Sequence, residues 1–198
     1  MEALLWRDYL CPWCWLGRGT ADVLVDLDVE VTHLPYDLHP EIPPGGRAVR
    51  PGGRLDAVFD HIAAECAREG IEFVKPVRTP NTRRALESAE IVRRVAPAAF
   101  PALDDALFRG HWVDGLDIGD PEVIDDLVLA SGAPLDLVSE QRAEGIGSAA
   151  VGESMATARE HGIAATPSWL IDGTLVIPGV QPAETVRRWV TRLLARRE

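Results

Sequence analysis

A short apolar run, Leu4 to Tyr9, leads directly into Cys11-Pro12-Trp13-Cys14. This junction constrains the chain more than any other feature. It reads as a strand entering a helix, because Pro12 suits the first helical position, where a missing N–H costs nothing, and Cys11 then becomes the N-cap. Residues three apart on a helix have Cβ atoms roughly 5–6 Å apart. A disulfide needs about 3.8 Å, so closure requires only a small local adjustment. Such a bond is expected to be exposed, slightly strained and labile. Cys11, at the positive end of the helix, is expected to hold a stabilised thiolate, as in Cys-X-X-Cys sites generally. Cys14, one turn deeper, suits the resolving role, attacking a mixed disulfide formed on Cys11.

The elements around this junction define an α/β order. Val29 to Tyr36 (VEVTHLPY) alternates in strand fashion, so the opening is strand, helix, strand. Pro40 to Gly53 holds four prolines and four glycines in fourteen residues and reads as a long loop or boundary. Helical periods follow: Leu55, Phe59, Ile62 and Cys66 share one stripe, and Leu86, Ala89, Val92 and Ala96 another. Further helices are expected to start at Pro101 and at Asp120-Pro121, an N-cap followed by an N1 proline. The last of this group passes Val151 and Met155 and ends at Gly162. Strands return at Ser168 to Ile171 and Leu175 to Ile177, flanking the hairpin turn Asp172-Gly173. A final helix after Pro182 carries Val186, Trp189, Val190, Leu193 and Leu194 on one face. Arg187, Arg188, Arg192, Arg196 and Arg197 gather toward its C-terminal end, where cations suit the dipole. The expected fold is a split α/β sheet with an all-helical insertion.

Composition narrows the chemistry. The net charge of −11 argues against nucleic acid, whose phosphates demand a basic footprint. No apolar run reaches the ~18 residues of a membrane span. The first residues lack a basic region before an apolar core, so the chain is expected to be cytoplasmic. In that compartment closely spaced cysteines are catalytic or metal-binding more often than structural. Zinc normally takes four ligands, and only Cys66 remains, on an apolar helical stripe where an inert buried thiol is the default. Redox chemistry at Cys11 and Cys14 is the leading reading. A zinc half-site and two incidental thiols are its alternatives. Between Asp104 and Asp126 eight acids accompany one base, Arg109, and read as a solvated helical face.

Cys-Pro-Trp-Cys after the first strand, a helical insertion, and Gly162-Ile163-Ala164-Ala165-Thr166-Pro167-Ser168-Trp169-Leu170-Ile171-Asp172-Gly173 together resemble the DsbA-like thioredoxin family, in its cytoplasmic FrnE-like branch. Pro80-Asn81-Thr82-Arg83-Arg84-Ala85, Leu107-Phe108-Arg109-Gly110 and Asp117-Ile118-Gly119-Asp120 extend the likeness over nearly the whole chain. The resemblance implies a thioredoxin-like domain, residues 1–45 and 163–198, interrupted by a helical insertion domain, residues 46–162. It implies Cys11 as nucleophile, Cys14 as resolving thiol, Pro167 as a cis-proline facing them, and a Thr166 backbone that pairs with extended substrate. Pro12, Trp13, Thr166 and Pro167 are then the substrate-binding residues, with no metal and no bound cofactor. Oxidising relatives often place a histidine between the cysteines; Pro12-Trp13 lacks it, so the pair should be less oxidising. The expected activity is a thiol–disulfide reductase or exchange enzyme acting on a disulfide-containing protein or small molecule. Its expected co-substrate is a low-molecular-weight thiol, mycothiol or glutathione. An alternative is a thiol-dependent isomerase or transferase, since kappa-class glutathione transferases and hydroxychromene-carboxylate isomerases share the architecture. Those activate a bound thiol with serine, whereas this chain keeps two cysteines. A non-enzymatic zinc or client-binding module is the third reading.

Other residues carry weaker signals. Asp8, three before Cys11, is expected to cap the helix or sit in solvent, or else to take a proton from Cys14. Trp13 either flanks a substrate groove or packs in the core. Trp6, Trp112, Trp169 and Trp189 read as core. Of His33, His39, His61, His111 and His161, only His39 lies beside the proline-rich loop. Lys75, Arg78, Arg83 and Arg84 could hold carboxylates of a thiol cofactor, or simply decorate an exposed helix start.

Overall fold

The computed structural model describes residues 1–195. Four strands form one mixed sheet: β1 (Glu2–Arg7), β2 (Glu30–Pro35), β5 (Ser168–Ile171) and β6 (Leu175–Pro178), in the order β2-β1-β5-β6. β1 runs parallel to β2 and antiparallel to β5, with Leu5 opposite His33 and Trp169. The hairpin turn works as the sequence demands: Asp172 and Gly173 have φ of 54° and 64°, the pair of positive values a type I′ turn needs.

Alternation along the strands separates two faces. Ala3, Leu5, Trp169, Ile171 and Ile177 pack against α2 (Gly19–Val25) and α9 (Ala183–Leu194) through Val23, Leu24, Val186 and Val190. Trp6 and Leu170 face the other way, toward Ala158 and Ile163 at the end of α8 (Ile146–Glu160). The Trp6 indole donates to the Ser154 carbonyl at 3.1 Å, so this face is pinned as well as packed. Trp189 is only partly buried, and Arg196 and Arg197 lie outside the described residues.

Between β2 and β5 come the helices α3 (Arg54–Glu69), α4 (Arg83–Val95), α5 (Phe100–Trp112), α6 (Pro121–Ala130) and α7 (Leu135–Ala143), followed by α8. Their starts and stops follow local chemistry. Asp120 caps α6 by accepting from the Glu122 N–H, and Gly162, at φ 69°, takes the left-handed position after α8. The helical core holds Phe59, Ile62, Cys66, Leu103, Leu107, Phe108 and Trp112. Each large side chain buried in this way contributes roughly 1.5–3 kcal/mol. Leu55, placed on the α3 stripe by its spacing, is instead exposed, because it sits on the first turn, beyond the packed part of the helix.

Two further departures from the sequence reading matter. The proline- and glycine-rich segment is not wholly loop: β3 (Arg47–Ala48) pairs antiparallel with β4 (Arg78–Thr79), two-residue strands too short to show a period. The acidic run is not simply a solvated face. Asp104 is buried, paired with Arg7 and accepting from the Tyr9 hydroxyl at 3.0 Å. Asp105 pairs with Arg18, and Asp125 with Arg84 and Arg142.

Candidate active site

The site begins where β1 ends. Asp8, Tyr9 and Leu10 turn the chain, with the Cys11 N–H donating to the Asp8 carbonyl at 3.1 Å. Cys11 is extended, with φ −81° and ψ 112°, and caps α1 (Pro12–Leu16), a helix barely longer than one turn. Pro12 occupies its first position, as the motif predicts. α1 stops at Gly17, where a side chain would meet Val180 Cγ2 at 2.9 Å and the Trp13 carbonyl oxygen at 3.0 Å. The missing side chain lets Val180 and Pro167 come close to the end of α1.

Both cysteines are free thiols and both are buried, Cys11 2% and Cys14 4% exposed. The expectation of an exposed Cys11 is therefore corrected: the helical layer and the Thr166 segment cover it. The Cys11 thiol donates to the Thr166 carbonyl at 3.4 Å. The Thr166–Pro167 peptide bond is cis. The Thr166 hydroxyl is buried without a hydrogen-bond partner among the described residues, and it faces the sulfur pair.

The two thiols are electrostatically unequal. The S–H of Cys14, above all, holds Cys11 below the ordinary thiol value, against the opposing effect of burial, with the Thr166 side chain and the Cys14 backbone N–H adding to it. Burial pushes Cys14 well above that value, reinforced by its bond to Cys11. A neighbouring sulfur is the first cause of the Cys11 shift, and the Cys14 N–H, a donor of the helix terminus that the sequence suggested, adds to it. A helix this short has little dipole to offer.

Asp8 neither caps α1 nor meets solvent. Its carboxylate accepts from the Leu10 N–H at 3.2 Å, the Leu38 N–H at 2.8 Å and the Thr82 hydroxyl at 2.7 Å, and the residue is fully buried. Burial raises its pKa to about 6 despite these three donors. Thr82 begins α4, so the helical layer reaches the floor of the thiol site directly. Spacing could not reveal that contact; the only sequence signal was the short polar Asn81-Thr82 pair before a helix.

Pro12 and Trp13 are half-buried and line a cavity of about 670 Å³ together with Cys11, Thr166 and the 38–59 segment. Trp13 combines its two expected roles: it borders this cavity while packing on the helical core and lying 5.7 Å from the His61 ring. His39 also lines the cavity, its Nδ1 3.1 Å from Glu41. On the Cys14 side a second cleft holds Trp15, Arg18, His33 and Phe100.

The basic residues singled out by sequence are already engaged. Lys75 pairs with Asp56 and Asp60 at 2.7 and 2.6 Å, Arg83 with Glu87 and Asp37, and Arg84 with Asp125. Arg78 donates to the Gly45 carbonyl. Arg47, Arg50 and Arg54 line the cavity in their place. Among the described residues no group of three or more His, Cys, Asp or Glu side chains could hold a metal ion, and no helix is long and apolar enough to cross a membrane.

A four-stranded mixed sheet flanked by helices, with a Cys-Pro-Trp-Cys turn facing Thr166-Pro167, defines a thioredoxin-fold dithiol protein. The pattern of the DSBA-like thioredoxin domain matches residues 4–190, and the chain belongs to that family. A Streptomyces coelicolor protein described as a probable DsbA oxidoreductase superposes with a TM-score of 0.86 at 22% identity, covering 98% of this chain and 90% of that one. The cytosolic disulfide reductase DsbM from Pseudomonas aeruginosa, with GSH, gives 0.69 at 15% identity, covering 98% and 100%. A 2-hydroxychromene-2-carboxylate isomerase gives 0.79 at 17%, covering 100% and 98%. No curated protein matches the sequence significantly.

Proposed function

We propose that this protein is a cytosolic thiol–disulfide reductase or exchange enzyme of the FrnE-like branch, with Cys11 as nucleophile and Cys14 as resolving thiol. The observation that carries this reading is geometric: Cys11 sits at the N-cap of α1 with its thiol 3.4 Å from the Thr166 carbonyl, and Cys14 lies buried one turn behind it. A Cys11 held low and a Cys14 held high accord with attacking and resolving roles. A thiolate is the attacking species in exchange, and its supply follows its pKa.

The Cys11 thiolate attacks one sulfur of a substrate disulfide, forming a mixed disulfide and expelling the other sulfur as a thiolate that takes up a proton. Cys14 then loses its proton and attacks Cys11 Sγ. The second substrate thiol leaves, and a Cys11–Cys14 disulfide remains. Two molecules of a low-molecular-weight thiol, mycothiol or glutathione, return the pair to dithiol and become oxidised to their own disulfide. The unpartnered Thr166 hydroxyl supplies a donor when either sulfur is charged.

The test is the reduction potential of the Cys11–Cys14 pair, measured against a panel of small thiols. A reductase falls nearer the roughly −270 mV of thioredoxin than the roughly −120 mV of DsbA. A value near the latter would make the protein an oxidant and overturn the proposed direction. Turnover of an isomerase substrate with a bound thiol in Cys11→Ser would instead favour the isomerase reading.

A further inference from the structure

The cavity beside Cys11 has a composition that selects for a kind of substrate. One part is apolar: Leu38, Ile42, Val49, Val58 and Phe59 contribute to its wall. Its charged lining is three arginines, Arg47, Arg50 and Arg54, against one carboxylate, Glu41. Glu41 is already engaged, with His39 Nδ1 at 3.1 Å and Arg47 Nη1 at 3.8 Å, and Arg47 also donates to the Glu41 carbonyl at 2.6 Å. Arg50 and Arg54 are exposed and have no ion pair or side-chain hydrogen bond among the described residues. In a chain of net charge −11, whose field repels anions, this is a local cationic rim at the mouth of the thiol site.

Size sets a second limit. A cavity of about 670 Å³ falls inside the range that encloses a small organic molecule or a few residues of peptide, roughly 300–1,000 Å³. It does not have the dimensions of a protein–protein face.

We propose that this cavity holds the half of the substrate disulfide that becomes bonded to Cys11, and that Arg50 and Arg54 recognise a carboxylate on that half. The substrate class is a small disulfide, or a small thiol in disulfide linkage to a protein, that carries a carboxylate and an apolar or extended body. This rests on the exchange activity proposed above and adds its specificity. The Cys11 thiolate bonds to the sulfur of the carboxylate-bearing half, the S–S bond breaks, and the other half leaves as a thiolate that is protonated by water. Arginine suits the task because its planar fork meets a carboxylate through two parallel N–H bonds.

The experiment compares glutathione disulfide, which carries carboxylates, with 2-hydroxyethyl disulfide, which carries none, on wild type, Arg50→Gln, Arg54→Gln and the double variant. The double variant is expected to raise KM for glutathione disulfide about tenfold, the worth of a lost charge-assisted bond, while kcat/KM for 2-hydroxyethyl disulfide stays within about twofold. Arg54→Glu should weaken use of glutathione disulfide further and favour the disulfide of cysteamine, which is cationic. A glutathionylated protein, tested alongside, separates the two sources of the same chemistry. Loss on the free disulfide alone assigns the site to small molecules, and loss on the glutathionylated protein assigns it to deglutathionylation; either supports the recognition. An unchanged KM for both, or an equal loss on the neutral disulfide, overturns it. If wild type turns over none of these disulfides, the exchange reading itself fails, which is a distinct result.

Discussion

The Thr82 hydroxyl donates to the Asp8 carboxylate at 2.7 Å, across 74 residues of sequence, and so ties the start of α4 to the turn that presents Cys11. Asp8 holds a charge beneath the thiol pair, and that charge opposes the Cys11 thiolate. Helical layer and redox site are therefore one electrostatic unit.

Asp8→Asn is expected to shift the pH profile of Cys11 alkylation by iodoacetamide to lower pH, because removing a nearby negative charge favours the thiolate. Stability should respond in a specific window. The folded Asp8 pKa of about 6 lies above its ordinary 3.8, so its favourable contribution is complete below pH ~4 and lost as the pH rises through about 6. The stability difference between wild type and variant should move by about 2 kcal/mol in favour of the variant between pH 4 and pH 7. Urea melts at those two pH values measure it, and a pH-independent difference contradicts the assignment.

Cys11→Ser is expected to abolish exchange, and Cys14→Ser to accumulate mixed disulfides on Cys11, read by mass spectrometry of tryptic peptides. Adducts found on Cys14 in Cys11→Ser, at a comparable rate, would reverse the two roles.

Thr166→Val keeps the shape of the residue and removes its unpartnered hydroxyl. The hydroxyl helps hold both sulfurs down, so the variant should move Cys11 alkylation to higher pH and slow exchange at neutral pH. An unchanged profile means the hydroxyl does not reach the thiolate.

Cys66 lies fully buried in the cluster of Phe59 and Ile62, and burial raises its pKa. Cys66→Ala should lower stability by roughly 0.5–3 kcal/mol and leave kcat/KM unchanged. A variant that melts normally yet loses turnover gives Cys66 a chemical role.

Gly17→Ala should destabilise the fold by roughly 1–3 kcal/mol, since the added Cβ would sit 2.9 Å from Val180 Cγ2 and 3.0 Å from the Trp13 carbonyl. Exchange should slow as well, because the end of α1 must shift. Denaturant midpoints and turnover on one preparation test both.

What the sequence made legible is what short stretches of chain decide. The strand before Cys11, the capped start at Asp120-Pro121, the glycine after α8 and the Asp172-Gly173 hairpin each depend on neighbours within a few positions. The charges were harder. Arg7 and Asp104 are 97 residues apart, so the buried pair left no local trace and Asp104 looked like part of a solvated run. Lys75, Arg78, Arg83 and Arg84 stand out by type and position, yet their partners are visible only in three dimensions. Of the cavity arginines, Arg47 and Arg50 fall in the proline- and glycine-rich segment, where a two-residue strand has no period to detect, and Arg54 opens α3 just ahead of its apolar stripe.

The Cys11 thiol meets the carbonyl of a residue 155 positions later. At about 5–20 residues per second of synthesis, the ribosome needs roughly 8–30 s to make that distance. Over nearly all of this interval Cys11 and Cys14 exist without the segment that completes their surroundings. Chain elongation thus acts as a timer: the cysteines are made first, and the environment that distinguishes them is assembled only when β5 takes its place beside β1.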